Sequence, residues 1–342
     1  MKKTLLLTGA LAGALVLAGC SMTTPGTGGD APERGTIDLT ASAVGDEIGL
    51  TADQEAAVRA ESEGKLVGIV CATMATEYHK NVCEGAKERA EELGFTAEIF
   101  DAQEDANREL QGFEGFVSKG AVAIIEDSLG GEAMTAQIEA AIAKGITIVQ
   151  VANRTFADVG AITVAVDNIT IAEAAGTAAG QYAAENLDGA PLEAAMLDYP
   201  SIPILVDRAD AIEAAMLAEY PETTFVGRFL GGTADNGQKS METALQAFPG
   251  IAAVVGINDA GNLGAYQVLL TAGRTADNTF LFGIDCDPQA VDLIDEGTMY
   301  KGCVETNPRG TGQIGVTAFA IYFAGGTVPA TLEVPVSVYT GK

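Results

Sequence analysis

The chain has 342 residues, 48% of them hydrophobic, with 47 acidic against 19 basic side chains and a net charge of −28. That length allows about two domains with a sizeable core. The acidic balance excludes nucleic acid and anionic lipid headgroups as partners, and its spread along the chain does not mark a disordered tail.

Lys2 and Lys3 precede an apolar run over 4–18, which closes on Leu17-Ala18-Gly19-Cys20. A basic start, a short apolar stretch and small residues before a cleavage point make residues 1–20 a secretory signal peptide, whose apolar run is too short to span a bilayer comfortably. The cysteine at that point resembles a bacterial lipobox. It implies a mature chain that starts at a lipid-modified Cys20 and meets the membrane through that lipid only. Without the two lysines the balance is 47 acidic to 17 basic. A location outside the cytoplasmic membrane excludes dependence on cytoplasmic ATP, NADH or DNA.

Residues 21–63 read as a tether and a short helix. The first part is rich in Gly, Thr and Pro and cannot bury apolar surface. Thr51 and Gln54 form a capping box that opens a helix to about residue 61. From about residue 64 a regular rhythm begins. Short apolar runs at 66–71, 122–125, 146–151, 162–166, 194–197, 253–257 and 280–284, and one starting at Phe225, alternate with Ala-rich amphipathic stretches at 78–93, 131–144, 169–186, 208–219, 238–247, 263–271 and 290–295. Unalternating apolar runs are strands buried on both faces, and their alternation with helices implies parallel sheets covered on both sides. The units are too many for one sheet, and a break near 166–168 divides them into two doubly wound domains.

In such sheets the carboxyl ends of the strands carry ligand contacts. Those ends hold Glu126 and Asp127, Asn153 and Arg154, Asp167 and Asn168, Asp198, Asn258 and Asp259, Asp285, and Glu305 to Asn307, with Arg208 on a following helix. Each Asn or Asp alone reads first as a helix cap. Together, amides, carboxylates and arginines form a donor–acceptor set suited to neutral hydroxyls.

Other motifs lead nowhere. Gly232 to Ser240 lacks the adjacent Gly-Lys of a phosphate loop. His79, the one histidine, has no nucleophile in motif context and reads as a surface or loop-packing residue. Glu126-Asp127 reads as solvated carboxylates. No Cys/His cluster suits a metal. The four cysteines other than Cys20 allow three pairings, or four buried thiols.

The order and spacing of these segments resemble the type I periplasmic binding proteins of the ribose/galactose group, over about residues 64–342. The segments are the first strand and helix ending in Gly94, Asn153-Arg154, Ala165-Val-Asp-Asn168, Asp207-Arg208, Gly256-Ile-Asn-Asp259, Gly283-Ile-Asp285 and Glu305-Thr-Asn-Pro308. The resemblance implies an α/β chain of two Rossmann-like, doubly wound parallel-sheet lobes joined by three crossover strands, with ligand between them. Lobe 1 is 64–166 plus 307–333, and lobe 2 is 167–306 plus 334–342. Carried over, Arg154, Arg208, Asn258 and Asp285 bind ligand hydroxyls, with Asn153, Glu126, Tyr78 and Thr306 as further contacts. The chain departs from the pattern in its first loop, where Tyr78 is the one aromatic, at Asn236 and Thr306, and in having no tryptophan. A linear polyol, a small modified sugar or a more polar ligand therefore fits as well as a common pyranose or furanose. The same fold places Cys71 near Cys83 and Cys286 near Cys303, implying two disulfides.

The implied function is an extracytoplasmic solute-binding lipoprotein of an ABC importer. It is expected as a monomer that performs no chemistry, needs no cofactor or metal, and delivers a sugar or polyol to a permease. The alternatives are a nucleoside or signalling-molecule receptor, a sensory co-receptor without transport, and an exported enzyme.

Overall fold

The computed structural model describes residues 34–128, 134–152 and 157–342; the expected signal with Cys20, the tether to residue 33, and Asn153 and Arg154 lie outside the described residues. Two sheets organise the rest. The first has seven strands, β1 (Thr36–Val44), β2 (Leu66–Cys71), β3 (Thr96–Asp101), β4 (Ala123–Asp127), β5 (Thr147–Ala152), β6 (Ile162–Ala165) and β12 (Thr327–Glu333), in the order β1-β12-β6-β5-β4-β2-β3. The second has six, β7 (Leu192–Asp198), β8 (Thr223–Leu230), β9 (Ala253–Gly256), β10 (Phe280–Asp285), β11 (Tyr300–Glu305) and β13 (Ser337–Tyr339), in the order β13-β11-β10-β9-β7-β8. Every pairing is parallel except that of β13 with β11. Each sheet with its helices forms one α/β lobe. The chain passes between the lobes after β6, after β11 and after β12.

The strands form for the reason the sequence suggests. Val67, Ile69, Ile124, Ile125, Val149, Ala194, Met196, Val254 and Ile284 are fully buried, and helices cover both sheet faces. In the first lobe, α2 (Glu77–Glu92) packs on α10 (Pro308–Phe323). This contact requires Gly312, because a Cβ there would stand 2.0 Å from the carbonyl oxygen of Val82. In the second lobe, α5 (Asn168–Asn186) packs on α6 (Pro203–Glu219).

The structure corrects the sequence reading in four places. Residues 36–44, expected as tether, are a strand paired in parallel with β12. Its alternating burial is the period of a half-covered edge strand, hidden in a Thr-rich segment. The strand β3 and the following α3 (Ala106–Ser118) stand where the apolar spacing marks no element. The helix α6 starts at Pro203, at its first turn where the missing N–H costs nothing, and not at Arg208. The last strand runs against its neighbour. The capping box holds as expected: Thr51 and Gln54 bond reciprocally at the start of α1 (Ala52–Ser62).

Candidate functional site

The segments after β2 and β3 in the first lobe and those at the carboxyl ends of β7, β8, β9 and β10 in the second meet around a cavity of about 60 Å³. At about 10–15 Å³ for each water-sized group, it has room for roughly four to six of them.

From the first lobe, the loop after β2 and the first turn of α2 bring Thr76, Tyr78 and His79 to the cavity wall. Thr76 Oγ1 is buried with no hydrogen-bond partner among the described residues. Tyr78 and His79 meet edge to face, ring centroids 5.1 Å apart. His79 Nδ1 lies 2.8 and 3.0 Å from the two carboxylate oxygens of Asp127, at the end of β4. The pair is deep, its side chains 13% and 1% exposed. Burial pulls the imidazole pKa down, but the Asp127 charge and hydrogen bond, helped by Asp285 and Glu104, outweigh it and hold the pKa above the ordinary 6.5. Beneath Asp127 the sulfurs of Cys71 and Cys83 are 2.22 Å apart, at disulfide distance, with Sγ atoms 3.9 and 3.7 Å from Asp127 Oδ2.

From the second lobe, Arg208 projects from α6 and is 7% exposed. Its Nε donates to Asn168 Oδ1 at 2.7 Å and its Nη1 to the Ile257 carbonyl at 3.0 Å. Burial lowers its pKa, while Asp285 and Tyr78 act the other way. Asn258 caps α8 (Asp259–Thr271): its Oδ1 accepts from Gly261 N at 3.1 Å and its Nδ2 donates to the Gly232 carbonyl at 2.9 Å. Gly232 has φ +80°, and a Cβ there would strike the Tyr199 ring at 2.4 Å, so only glycine lets this loop lie under that ring.

Asp285, the last residue of β10, has φ 102°, and Cys286 has φ 51°. Both values are costly for residues with a Cβ, and such strain gathers where a side chain must be aimed. Burial first, against the opposing charges of Arg208 and His79 and a hydrogen bond from Thr306, brings its pKa to about 6. Cys286 and Cys303 stand 2.03 Å apart at their sulfurs, tying the end of β10 to β11. Behind them Asp259 accepts from Tyr300 Oη at 2.5 Å and from the Asp287 amide at 2.8 Å. Asp287 is raised to about 7, by burial and then by Asp285.

Of the residues expected from sequence, Tyr78, Arg208, Asn258 and Asp285 line this cavity together. Thr306 stands behind it, its Oγ1 donating to Asp285 Oδ1 at 3.3 Å. Glu126 does not line it. Neighbouring strand residues face opposite ways, so while Asp127 turns to His79, Glu126 turns into the interior. It is wholly buried beside Gln150 of β5, with neither oxygen partnered among the described residues. Burial, then the nearby Glu109, pushes its pKa well above the carboxylate range. Neither Glu126 nor Asp127 is a solvated carboxylate. Asn153 and Arg154 lie outside the described residues. Sequence reasoning missed His79, Thr76, Glu104, Tyr199, Ile202 and Leu205. For His79 the available signal was its place beside Tyr78 at the start of the helix after β2.

Residues 67–327 match the family model described as periplasmic binding protein domain. A D-apiose import binding protein of Actinobacillus succinogenes is 28% identical over 257 residues, covering 70% of this chain and 76% of that protein. A ribose import binding protein of Bacillus subtilis is 23% identical over 276 residues, covering 81% and 87%. A carbohydrate transporter solute-binding protein of Agrobacterium radiobacter, solved with D-arabinose, superposes with a TM-score of 0.72 at 20% identity, over 82% of this chain and 95% of that one. At that identity the last likeness is one of fold.

Proposed function

The chain belongs to the periplasmic binding protein family, and on that footing we propose that it is the extracytoplasmic solute receptor of an ABC importer, taking a sugar or polyol into the cavity between its lobes. The observation that carries this reading is the convergence of Arg208, Asp285, Tyr78 and His79 from both lobes on one small cavity. A guanidinium and a carboxylate there give a neutral polyol both donors and acceptors. A ligand touching both walls favours the closed arrangement by its differential affinity for the two states. The closed form is then what a permease recognises.

The import proteins among the relatives, for apiose and ribose, support a pentose-sized ligand. No reaction is assigned to the site. The pairings Cys71–Cys83 and Cys286–Cys303 stiffen the two walls, and lobe boundaries near 166, 306 and 333 follow the points where the chain changes sheets. Among the described residues no helix is long and apolar enough to cross a membrane; attachment through lipid on Cys20 and a monomeric state complete the reading.

The test is a thermal-shift screen followed by calorimetry with D-ribose, D-apiose, D-arabinose, myo-inositol and a nucleoside set. Saturable stabilisation by one of the sugars or polyols is expected, since a ligand of the folded state raises stability by mass action. Response to nucleosides alone would replace this reading with that of a nucleoside receptor.

A further inference from the structure

We propose that His79, positioned by Asp127, determines specificity: its Nε2 presents a hydrogen-bond donor to an oxygen of the bound sugar or polyol, opposite the acceptor Asp285. This rests on reading the cavity as a sugar or polyol site and adds to it which wall selects the ligand and how. His79 lines the cavity. Its Nδ1 is committed to a carboxylate at 2.8 Å, which can only accept. Its Nε2 has no partner among the described residues. Its ring meets Tyr78 nearly perpendicular, at 87°.

The consequence is a contact whose sense depends on charge. With Nδ1–H given to Asp127, the imidazolium offers a donor at Nε2, whereas the neutral ring offers an acceptor there. The groups facing the ring are Asp127 at the end of β4, Asp285 at the end of β10 and Glu104 after β3, all favouring the charged form, with Arg208 on α6 and the Tyr78 phenol also bordering the cavity. A ligand hydroxyl that donates to Asp285 has only lone pairs left for a second partner. A donor at His79 completes that hydroxyl; an acceptor repels it. The wall thus selects an uncharged ligand with an oxygen placed between the two residues, such as one hydroxyl of a pentose or inositol. Asp127 acts through His79 and is a positioning residue.

The experiment uses the full chain and titrates wild type, His79→Phe, His79→Gln and Asp127→Asn with D-ribose, D-apiose, D-arabinose and myo-inositol between pH 5 and 9. Wild-type affinity should rise as Asp285 ionises and fall again as His79 loses its proton, giving a bell. His79→Phe should bind about tenfold more weakly, the difference a charged hydrogen bond makes, and lose the falling limb. His79→Gln should recover part of the affinity without that limb, and Asp127→Asn should move the limb to lower pH. Because His79 is the only histidine, its ring NMR signals need no assignment; they should titrate above the ordinary value and move when ligand is added. That measurement on wild type stands even if the buried Asp127 variant fails to fold. Wild-type binding with unmoved ring signals, or with His79→Phe equal to wild type in affinity and pH profile, overturns the inference. A wild type that binds none of these ligands overturns the sugar reading itself, and the inference with it.

Discussion

The hydroxyl of Tyr199 lies 3.4 Å from Oε2 of Glu104, so a side chain following β7 of one lobe reaches a side chain following β3 of the other. Both border the cavity. The contact is exposed and long, which makes it a latch of modest strength. Replacing Tyr199 by Phe removes the hydroxyl and leaves the ring. Ligand release, followed by stopped flow, should quicken about two- to fivefold, in keeping with one solvent-screened hydrogen bond. A loss of a hundredfold or more would mean that the phenol touches ligand directly.

Asp285→Asn separates binding from stability. The amide keeps the shape but offers one acceptor oxygen in place of two and loses the charge. Affinity for the best-bound sugar should fall about ten- to hundredfold by calorimetry. At pH 8 the fold itself should melt higher, because burial opposes the ionised carboxyl that the variant no longer contains. Equal affinity in variant and wild type would remove Asp285 from the site.

Stability should depend on pH in one direction across the mildly acidic range. Asp285 and Asp287 move from an ordinary 3.8 to about 6 and about 7. The folded state therefore holds these protons more tightly than the unfolded chain. The stability they contribute is complete below 3.8 and is lost as pH rises through 6 and 7. His79, also raised, adds a loss above 6.5. Asp38, Asp167 and Asp295 are lowered by hydrogen bonds, so their contribution is lost only as pH falls below the usual carboxylate range. Calorimetric melting at constant ionic strength should peak at about pH 4 and decline toward pH 8; a rise over that interval would contradict these shifts.

The Cys71–Cys83 pairing closes a loop over the first turns of α2, with a sequence separation of 12 residues. Thiol titration of unfolded, unreduced protein should find none of these two reactive. The double change to Ser should cost about 3 kcal/mol in urea unfolding, the scale for a loop of this size. Because both sulfurs pack on Asp127, it should also loosen the hold on His79 and weaken ligand binding. Full stability in the double variant would leave the bridge without a structural role.

The alternation of apolar runs with helices was readable because both sheets are covered on both faces, so β2, β4, β5, β7 and β10 appear as unbroken apolar words. The same logic failed for β1, an edge strand with one face to solvent. At the site, the rule that strand ends carry contacts pointed to Asp285, Asn258 and, with the helix after β7, Arg208, which line the cavity. It could not say which way a strand-end side chain turns. Glu126 and Asp127 are neighbours in the chain, yet one lies in the interior and the other holds His79. The histidine was passed over because its partner is 48 residues away in sequence, and nothing local announces a pair made across a parallel sheet. Tyr199 and Glu104 were missed for the same reason, since they meet only when the lobes do.

The turn at Asp285 and Cys286 has a further consequence. Two successive left-handed residues are held beside the attachment to Cys303, so on the proposed reading the Asp285 acceptor is aimed before any solute arrives. Little ordering entropy remains to be spent there on capture. Discrimination between epimers should accordingly appear in how long each resides, while their rates of arrival stay alike.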